Sequence, residues 1–261
     1  MKLKIFVGIY LNERNSMIPK IIHYCWLSKD PYPAGIQACL YSWKKYLPDY
    51  EFKLWNFSSF DIESSQWVKT AFFAGKYAFA ADYIRAYALY HYGGIYLDCD
   101  VEVLKSYDDL LHLPYFIGKE KTNTPIEAAT MGFEKGHPLM KLLLDYYKGR
   151  TFYLGNKEKK GKSSFDIRPL PAIMLDLINT HFSFHEIECI DEFDFSSNVI
   201  NVLPADYFSP KQWDTQELNV TSRTYSIHHF SGSWLKGNFG KKLAFYWYRF
   251  LGLVWNKYHI E

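Results

Sequence analysis

Two aspartates one residue apart, Asp98 and Asp100, are the side chains of this sequence best suited to chemistry. They end an apolar run, residues 92–97, that contains a Gly-Gly pair and predicts a short buried strand. Because alternate side chains of a strand share a face, we expect both carboxylates to point the same way. Mg²⁺ and Mn²⁺ commonly bind one or two carboxylates together with substrate phosphates. The pair therefore predicts a metal–diphosphate site.

The alternative for this pair is a simple turn, in which one aspartate caps a helix and the other is solvated. The context favours a metal site, because ligands of open α/β sheets gather at the carboxyl ends of strands. Cys99, between the aspartates, should face the opposite side of the strand as a small hydrophobic residue.

Asp82 and Arg85 form a second candidate pair. Their i, i+3 spacing on a predicted helix places them on one face. A surface ion pair is the simpler alternative, but residues 78–81 before them are apolar, which favours burial. Buried charges need partners. A ribose hydroxyl for Asp82 and a sugar or phosphate for Arg85 would meet that need.

The segment 228–234, His-His-Phe-Ser-Gly-Ser-Trp, is a third cluster. Imidazole is a common metal ligand, and the Ser233 and Trp234 side chains can donate hydrogen bonds to a diphosphate. Adjacent strand residues point to opposite faces, so only one of His228 and His229 is expected to face a metal. The alternative is an ordinary strand with one histidine packed in the core.

Trp26, at the end of a predicted strand, is a candidate for base stacking. The alternative is an exposed Trp without a function.

Hydrophobic periodicity predicts the elements that position these residues. Predicted helices span residues 35–47, 66–75, 77–91, 138–148 and 169–182. Predicted strands lie at residues 18–26, 50–55, 95–100, 101–104, 115–118, 128–133, 187–190, 199–203 and 225–230. Strands alternate with helices in the first half, which predicts an α/β sheet with crossover connections, whereas the second half is mixed.

Composition restricts the function classes. The chain has 261 residues, of which 48% are hydrophobic and 19% aromatic, and this supports a sizeable core. A formal net charge of +2 gives no argument for a nucleic-acid partner. Four scattered cysteines without metal-site spacing suggest reduced thiols in the cytoplasm. No apolar run is long enough to span a membrane, and the N-terminus does not resemble a signal peptide.

We expect three parts along the chain: an N-terminal extension over residues 1–16, a catalytic domain over 17–240, and a C-terminal helix over 241–261. The last segment is aromatic and basic, so it suits either contact with a membrane surface or packing as a terminal helix. The expected location is therefore the cytoplasm, with peripheral contact at the inner face of the membrane as an option.

Four segments in this order, 18–26, 81–85, 93–100 and 228–234, resemble the DXD-containing glycosyltransferases of family 32. That family includes bacterial capsular and exopolysaccharide transferases and fungal initiating mannosyltransferases, and it is related to the clostridial glucosylating toxins. The resemblance covers residues 17–235. It implies a GT-A fold, which is a nucleotide-binding mixed sheet flanked by helices, here with a mixed α+β C-terminal part.

The resemblance also implies a role for each matched residue. At the base, Trp26 would stack on the ring and Asn56 would be a weaker contact. At the ribose and the donor sugar or phosphate, the implied contacts are Asp82 and Arg85, with Tyr96 on the ribose and Asp98 on the sugar and ribose. Ser233 and Trp234 would lie near the diphosphate. The implied Mn²⁺ or Mg²⁺ ligands are Asp100, His229 and Asp98, with His228 as the alternative histidine. The toxin relatives carry a carboxylate at this histidine position. Asp98, Asp100 and Arg85 are the implied catalytic residues.

The implied activity is metal-dependent transfer of a hexose with retention of configuration. The donor is a nucleotide sugar, with a UDP-sugar favoured over GDP-mannose, and the acceptor is a glycan or lipid-linked saccharide of surface polysaccharide synthesis. Two alternatives stay open. A metal-dependent phosphohydrolase also uses Asp-x-Asp after a strand, usually the first one. A carbohydrate-binding module would explain the aromatic residues but not the charged ones.

Overall fold

The computed structural model describes residues 17–121, 125–155 and 165–231. The helices in these ranges are α1 (Ala34–Tyr46), α2 (Gln66–Phe73), α3 (Tyr77–Tyr92), α4 (Pro138–Tyr147) and α5 (Leu170–His181). The strands are β1 (Ile21–Cys25), β2 (Glu51–Trp55), β3 (Gly94–Leu97), β4 (Val101–Val103), β5 (Tyr115–Phe116), β6 (Thr130–Phe133), β7 (Ser183–Glu186), β8 (Val199–Val202) and β9 (Ser226–His228). The predicted extension 1–16 and C-terminal helix 241–261 lie outside the described residues.

The central sheet has five strands in the order β2-β1-β3-β6-β5. Strand β1 runs parallel to both β2 and β3, whereas β6 runs antiparallel to β3 and β5. Helix α3 packs on β1 and β3 and contacts α2 and α4. This mixed sheet flanked by helices confirms the predicted α/β class. None of the helices in the described ranges is long and apolar enough to cross a membrane.

Two small sheets complete the described part of the chain. Strands β4 and β9 pair antiparallel, with Val101 opposite His228, and β7 and β8 pair in parallel. Strands at 199–203 and 225–230 are therefore confirmed. The predicted strand at 187–190 is wrong, because the chain pairs with β8 immediately after α5, through β7, and residues 190–192 form a single 3₁₀ turn.

The Gly-Gly pair forms the sharp turn between α3 and β3. Gly93 and Gly94 have φ angles of 68° and 109°, which disfavour a residue with a side chain. A Cβ at Gly94 would lie 2.6 Å from the carbonyl oxygen of Ile21 on β1. The buried His23 fixes the same turn: its Nε2 donates to the Gly93 carbonyl at 2.8 Å, while Nδ1 accepts from Trp55 Nε1 at 3.1 Å. Strands β1, β2 and β3 are thereby joined at the turn that precedes the aspartate pair.

The Gly94→Ala variant should lose about 3 kcal/mol or more of unfolding free energy, because backbone strain adds to overpacking against β1. Gly75→Ala is the matched control: its φ is also positive, at 67°, but nothing lies within 4 Å of the added Cβ. We expect the control to lose only about 1 kcal/mol. Urea unfolding measures both values, and equal losses would contradict the close approach at Gly94.

His137 makes stability depend on pH. It is the N-cap of α4, its Nδ1 accepts from the Leu139 N–H at 3.2 Å, and burial lowers its pKa to about 4. The unfolded chain, with an ordinary histidine pKa of about 6.5, binds more protons between these values, so acid destabilises the fold. The His137→Asn variant keeps a cap acceptor without that titration. Between pH 7.5 and 4, wild type should lose up to about 3 kcal/mol more than the variant in urea unfolding; parallel pH curves would refute this.

Candidate functional site

The two aspartates lie in a turn rather than in a strand. Strand β3 ends at Leu97, and residues 98–101 form a turn closed by a hydrogen bond of 3.0 Å from the Val101 N–H to the Asp98 carbonyl. The expectation of an extended strand through Asp100 is therefore wrong. The aspartates nevertheless reach one place, because β9 runs antiparallel to β4 and brings His228 beside the turn.

Asp98, Asp100 and His228 form a cluster that could hold a metal ion. One ligand atom of each lies within 4.8 Å of the others. His228 Nε2 is 3.6 Å from Asp100 Oδ1, and the two side chains are only 14% and 16% exposed. Carboxylate oxygens suit Mg²⁺ and Mn²⁺, and imidazole is a common metal ligand. The donor atoms present thus fit the divalent ion that the sequence predicts, and they do not identify which ion.

The electrostatics of His228 show that this cluster favours positive charge. Burial alone would lower the pKa of its imidazole, but the carboxylates of Asp100, Glu127 and Asp98 raise the pKa to about 9. A protonated ring balances those carboxylates when no other cation is present. Metal ligation requires the neutral ring, so a bound ion would take over the positive charge that the proton supplies.

His229 is placed away from the aspartate side chains. Its Nε2 lies 2.8 Å from Glu102 Oε2, and both of these side chains are more than one-third exposed. Only its backbone reaches the turn, where the N–H donates to the Asp100 carbonyl at 3.0 Å. The choice of His229 over His228 is therefore corrected: neighbouring residues point to opposite sides, and the register of β9 puts His228 on the side of the carboxylates.

Arg85 is a buried cation that joins α3 to the aspartate turn. Its Nη2 lies 3.2 Å from Asp82 Oδ1 and 3.2 Å from Asp98 Oδ1. Its Nη1 donates to the Ala128 carbonyl at 2.6 Å. The predicted shared face and burial of Asp82 and Arg85 are thus present in the fold. The structure adds Asp98 as a second carboxylate on the same guanidinium.

Burial is the largest influence on the two carboxyl groups, Asp82 and Asp98, whereas their charges outweigh it at Arg85. Burial has its clearest effect on Asp82. It raises the pKa of Asp82 to about 7, although Arg85 acts in the opposite direction. The pKa of Asp98 is also raised by burial against the effect of Arg85. For Arg85, burial favours the neutral form, but Asp98, Tyr96 and Asp82 outweigh it and keep the guanidinium charged. Asp82 can therefore be protonated near neutral pH, and a protonated carboxyl can donate to a ligand oxygen.

Tyr96 contributes to the site through Asp98. Its side chain is buried on β3, and its hydroxyl donates to Asp98 Oδ1 at 3.1 Å. Its ring lies against the guanidinium of Arg85, with Cζ 4.5 Å from the ring centroid. Both contacts hold Asp98 and Arg85 in place. A ribose contact for Tyr96 remains a prediction.

Trp26 and Asn56 follow β1 and β2, at the same carboxyl edge of the parallel strands as Asp98. Trp26 is half-buried and its ring centroid lies 4.7 Å from that of Tyr32. Asn56 follows the outermost strand, and its Oδ1 accepts from the Ser58 N–H at 2.8 Å, which fixes a local turn. The base contacts of Trp26 and Asn56 stay predictions.

The segment after β9 begins beside the cluster of Asp98, Asp100 and His228. The Ser231 N–H donates to Asp100 Oδ2 at 2.7 Å, which directs the chain past the aspartate turn. The predicted diphosphate contacts Ser233 and Trp234 come next along the chain and lie outside the described residues.

One charged residue of this site, Glu127, was missed in the sequence. Its side chain is completely buried, and Oε1 lies 3.5 Å from His228 Nδ1. The available signal was a single acidic residue within the otherwise apolar or small residues 126–133. Such an interruption indicates a buried charge with a specific partner, as it does for Asp82 and Arg85.

Residues 33–117 match the family model of the glycosyltransferase sugar-binding region containing the DXD motif. The match includes Asp82, Arg85 and the turn with Asp98 and Asp100. The resemblance to DXD-containing glycosyltransferases is therefore confirmed, and two of its four segments, 81–85 and 93–100, lie within the matched region.

Similar proteins occur in two yeasts. Inositol phosphoceramide mannosyltransferase 3 of Schizosaccharomyces pombe is 37% identical over 139 residues, which cover 51% of this chain and 37% of that protein. Inositol phosphoceramide mannosyltransferase 2 of the same yeast is 32% identical over 64% of this chain and 46% of its own length. Mannosyl phosphorylinositol ceramide synthase CSH1 of Saccharomyces cerevisiae is 34% identical over 57% and 41%. The chain spans less than half the length of each of these relatives.

Among solved structures, the PaToxG glycosyltransferase aligns with a TM-score of 0.41 and 19% identity, over 57% of this chain and 69% of that one.

Substitution of each histidine tests which one faces the aspartates. His228→Ala should weaken Mn²⁺ binding at least about 10-fold, because it removes an imidazole that faces Asp100. His229→Ala, which removes only the exposed pair with Glu102, should leave Mn²⁺ binding unchanged. Electron paramagnetic resonance of free Mn²⁺ measures both affinities without any substrate. The reverse pattern would restore His229 as the ligand.

Proposed function

We propose that this chain, whose residues 33–117 carry the DXD-containing sugar-binding region of glycosyltransferases, transfers a hexose from a nucleotide sugar to an acceptor hydroxyl. One observation carries the proposal: Asp98 contacts the buried Arg85 and also belongs to the cluster with Asp100 and His228. A donor diphosphate needs cationic groups, and a donor sugar needs hydrogen-bonding groups. Arg85 and an ion held by the cluster would supply the cationic groups, and the carboxylates would supply the hydrogen-bonding groups.

In this proposal, Asp100 and His228 hold a Mn²⁺ or Mg²⁺ ion, with Asp98 beside them. The ion would neutralise the negative charge that develops on the departing diphosphate. Arg85 adds a fixed positive charge on the other side of Asp98, in a position that its two carboxylate contacts and the Ala128 carbonyl determine. Charge that is preorganised in this way stabilises a transition state without reorganisation at the moment of reaction.

Asp82 and Asp98 orient the donor sugar and ribose. Their different environments suit different tasks: the raised pKa of Asp82, about 7, lets it donate a hydrogen bond, while Asp98 receives Arg85 and Tyr96 and acts as an acceptor. Fixed partners on both carboxylates limit the sugar orientations that can bind, and this positioning contributes to rate.

Retention of configuration is proposed to proceed by front-face attack of the acceptor hydroxyl, guided by the leaving phosphate. The carboxylates gathered here in the described part of the chain already have partners. Asp82 and Asp98 contact Arg85, Asp100 accepts from the Ser231 N–H, and Glu127 is fully buried. A covalent glycosyl–enzyme intermediate would require one of them to leave its partner.

The sequence resemblance and the named relatives favour different donors and acceptors. The sequence resemblance favours a UDP-sugar and surface polysaccharide synthesis, whereas the named yeast relatives are inositol phosphoceramide mannosyltransferases. We therefore propose mannose as the first sugar to test and a lipid-linked hydroxyl as the first acceptor, with UDP-glucose and a soluble glycan as comparisons.

A thermal-shift screen of nucleotide sugars, with and without Mn²⁺, tests the proposal. One nucleotide class should raise the melting temperature only when Mn²⁺ is present. A ligand at 100 times its Kd adds about 2.7 kcal/mol to the free energy of unfolding. Asp100→Asn should abolish this shift and the Mn²⁺-dependent release of the nucleoside diphosphate. The control Asp49→Asn removes an exposed aspartate next to β2 and should behave as wild type.

Three outcomes would contradict the proposal in whole or in part. Hydrolysis of an aryl phosphate without any nucleotide effect would favour the phosphohydrolase alternative. Binding of a sugar polymer with no nucleotide effect on melting temperature would favour the binding module. A fully active Asp100→Asn variant would remove the metal assignment.

A further inference from the structure

Glu127 is a buried carboxylate whose oxygens are fixed by the backbone. Its side chain is 0% exposed. Oε1 accepts from the Ala129 N–H at 2.7 Å, and Oε2 accepts from the Thr130 N–H at 2.9 Å. Its own N–H donates to the Gly118 carbonyl at 2.7 Å. A carboxylate that accepts from two N–H groups keeps one orientation, so it can orient a neighbouring hydrogen-bond donor.

The backbone next to Glu127 also forms hydrogen bonds to two residues of the predicted donor site. The Ala128 carbonyl accepts from Arg85 Nη1 at 2.6 Å, and the Ala129 carbonyl accepts from the Asp98 N–H at 2.8 Å. One short segment, residues 127–130, therefore supports the buried guanidinium and the start of the aspartate turn together.

The imidazole of His228 lies between two carboxylates. Nδ1 is 3.5 Å from Glu127 Oε1, and Nε2 is 3.6 Å from Asp100 Oδ1. Nδ1 is buried and makes no hydrogen bond within the part of the chain that the structure describes. Glu127 is thus the polar group toward which this nitrogen is directed.

We propose that Glu127 is the positioning residue of the metal centre: it accepts from Nδ1–H of His228 and thereby directs the Nε2 lone pair toward Asp98 and Asp100. A carboxylate that already receives two N–H groups can only accept, so a neutral ring beside it carries its hydrogen on Nδ1. Ligating histidines commonly donate their second N–H to a carboxylate in this way. The inference rests on the proposed metal-dependent function and deepens it.

The test measures Mn²⁺ affinity directly, by electron paramagnetic resonance in the absence of any donor. Glu127→Gln should weaken Mn²⁺ binding about 10- to 100-fold. Glu102→Gln is the matched control, because it alters the neighbouring histidine–carboxylate pair with His229 that faces away from the aspartates. Its affinity should equal that of wild type.

A double-mutant cycle separates positioning from a general structural role. If Glu127 acts through His228, the double variant Glu127→Gln/His228→Ala should bind Mn²⁺ no more weakly than His228→Ala alone. Additive losses would show that Glu127 acts elsewhere and would overturn the inference. Circular dichroism checks that each variant folds. If Glu127→Gln does not fold, Glu127→Asp replaces it in the cycle, because the shorter side chain keeps the charge but holds the carboxylate farther from His228.

The outcomes distinguish this inference from the proposed function. If wild type binds Mn²⁺ and Glu127→Gln binds it equally well, the positioning role is wrong while the metal-dependent activity stands. If wild type binds no Mn²⁺ with or without nucleotide, the metal centre itself is wrong and the inference fails with it.

Discussion

The burial of one guanidinium, Arg85, is the constraint on which the site depends. A buried cation must be paired, and breaking one partner of such a group typically costs about 3–5 kcal/mol. Here the partners come from three places: Asp82 on α3, Asp98 after β3, and the carbonyl of Ala128 before β6. Satisfying Arg85 therefore fixes these three segments relative to one another. The aspartate turn is held by this pairing as well as by the sheet.

A second consequence concerns the charge balance of the cluster. The imidazole of His228 lies between Asp100 and Glu127, at 3.6 Å and 3.5 Å, and Asp98 belongs to the same cluster. These carboxylates outweigh the effect of burial and raise the pKa of His228 to about 9. The cluster therefore favours positive charge, which a proton on His228 or a bound metal ion would supply.

The local sequence pattern was sufficient to predict much of the fold and the buried pair of Asp82 and Arg85. The i, i+3 spacing and the apolar run before it predicted that Asp82 and Arg85 share a buried face, and the alternation of strands and helices predicted the α/β class. Three features required long-range information. The end of β3 depends on the pairing of residue 101 with β9, the choice of His228 depends on the register of that pairing, and the role of Glu127 depends on its distance from His228. None of these is encoded in a window of neighbouring residues.

The proposed function requires that Asp98, Asp100 and His228 bind one divalent ion beside the donor diphosphate. Anomalous diffraction from crystals grown with Mn²⁺ and a nucleoside diphosphate tests it most directly, because it locates the ion without reference to activity. We expect a single Mn²⁺ peak within ligand distance of Asp100 and His228 Nε2, in contact with the diphosphate. A peak between His229 and Glu102, or nucleotide bound beside Arg85 with no peak at the aspartate turn, would contradict it.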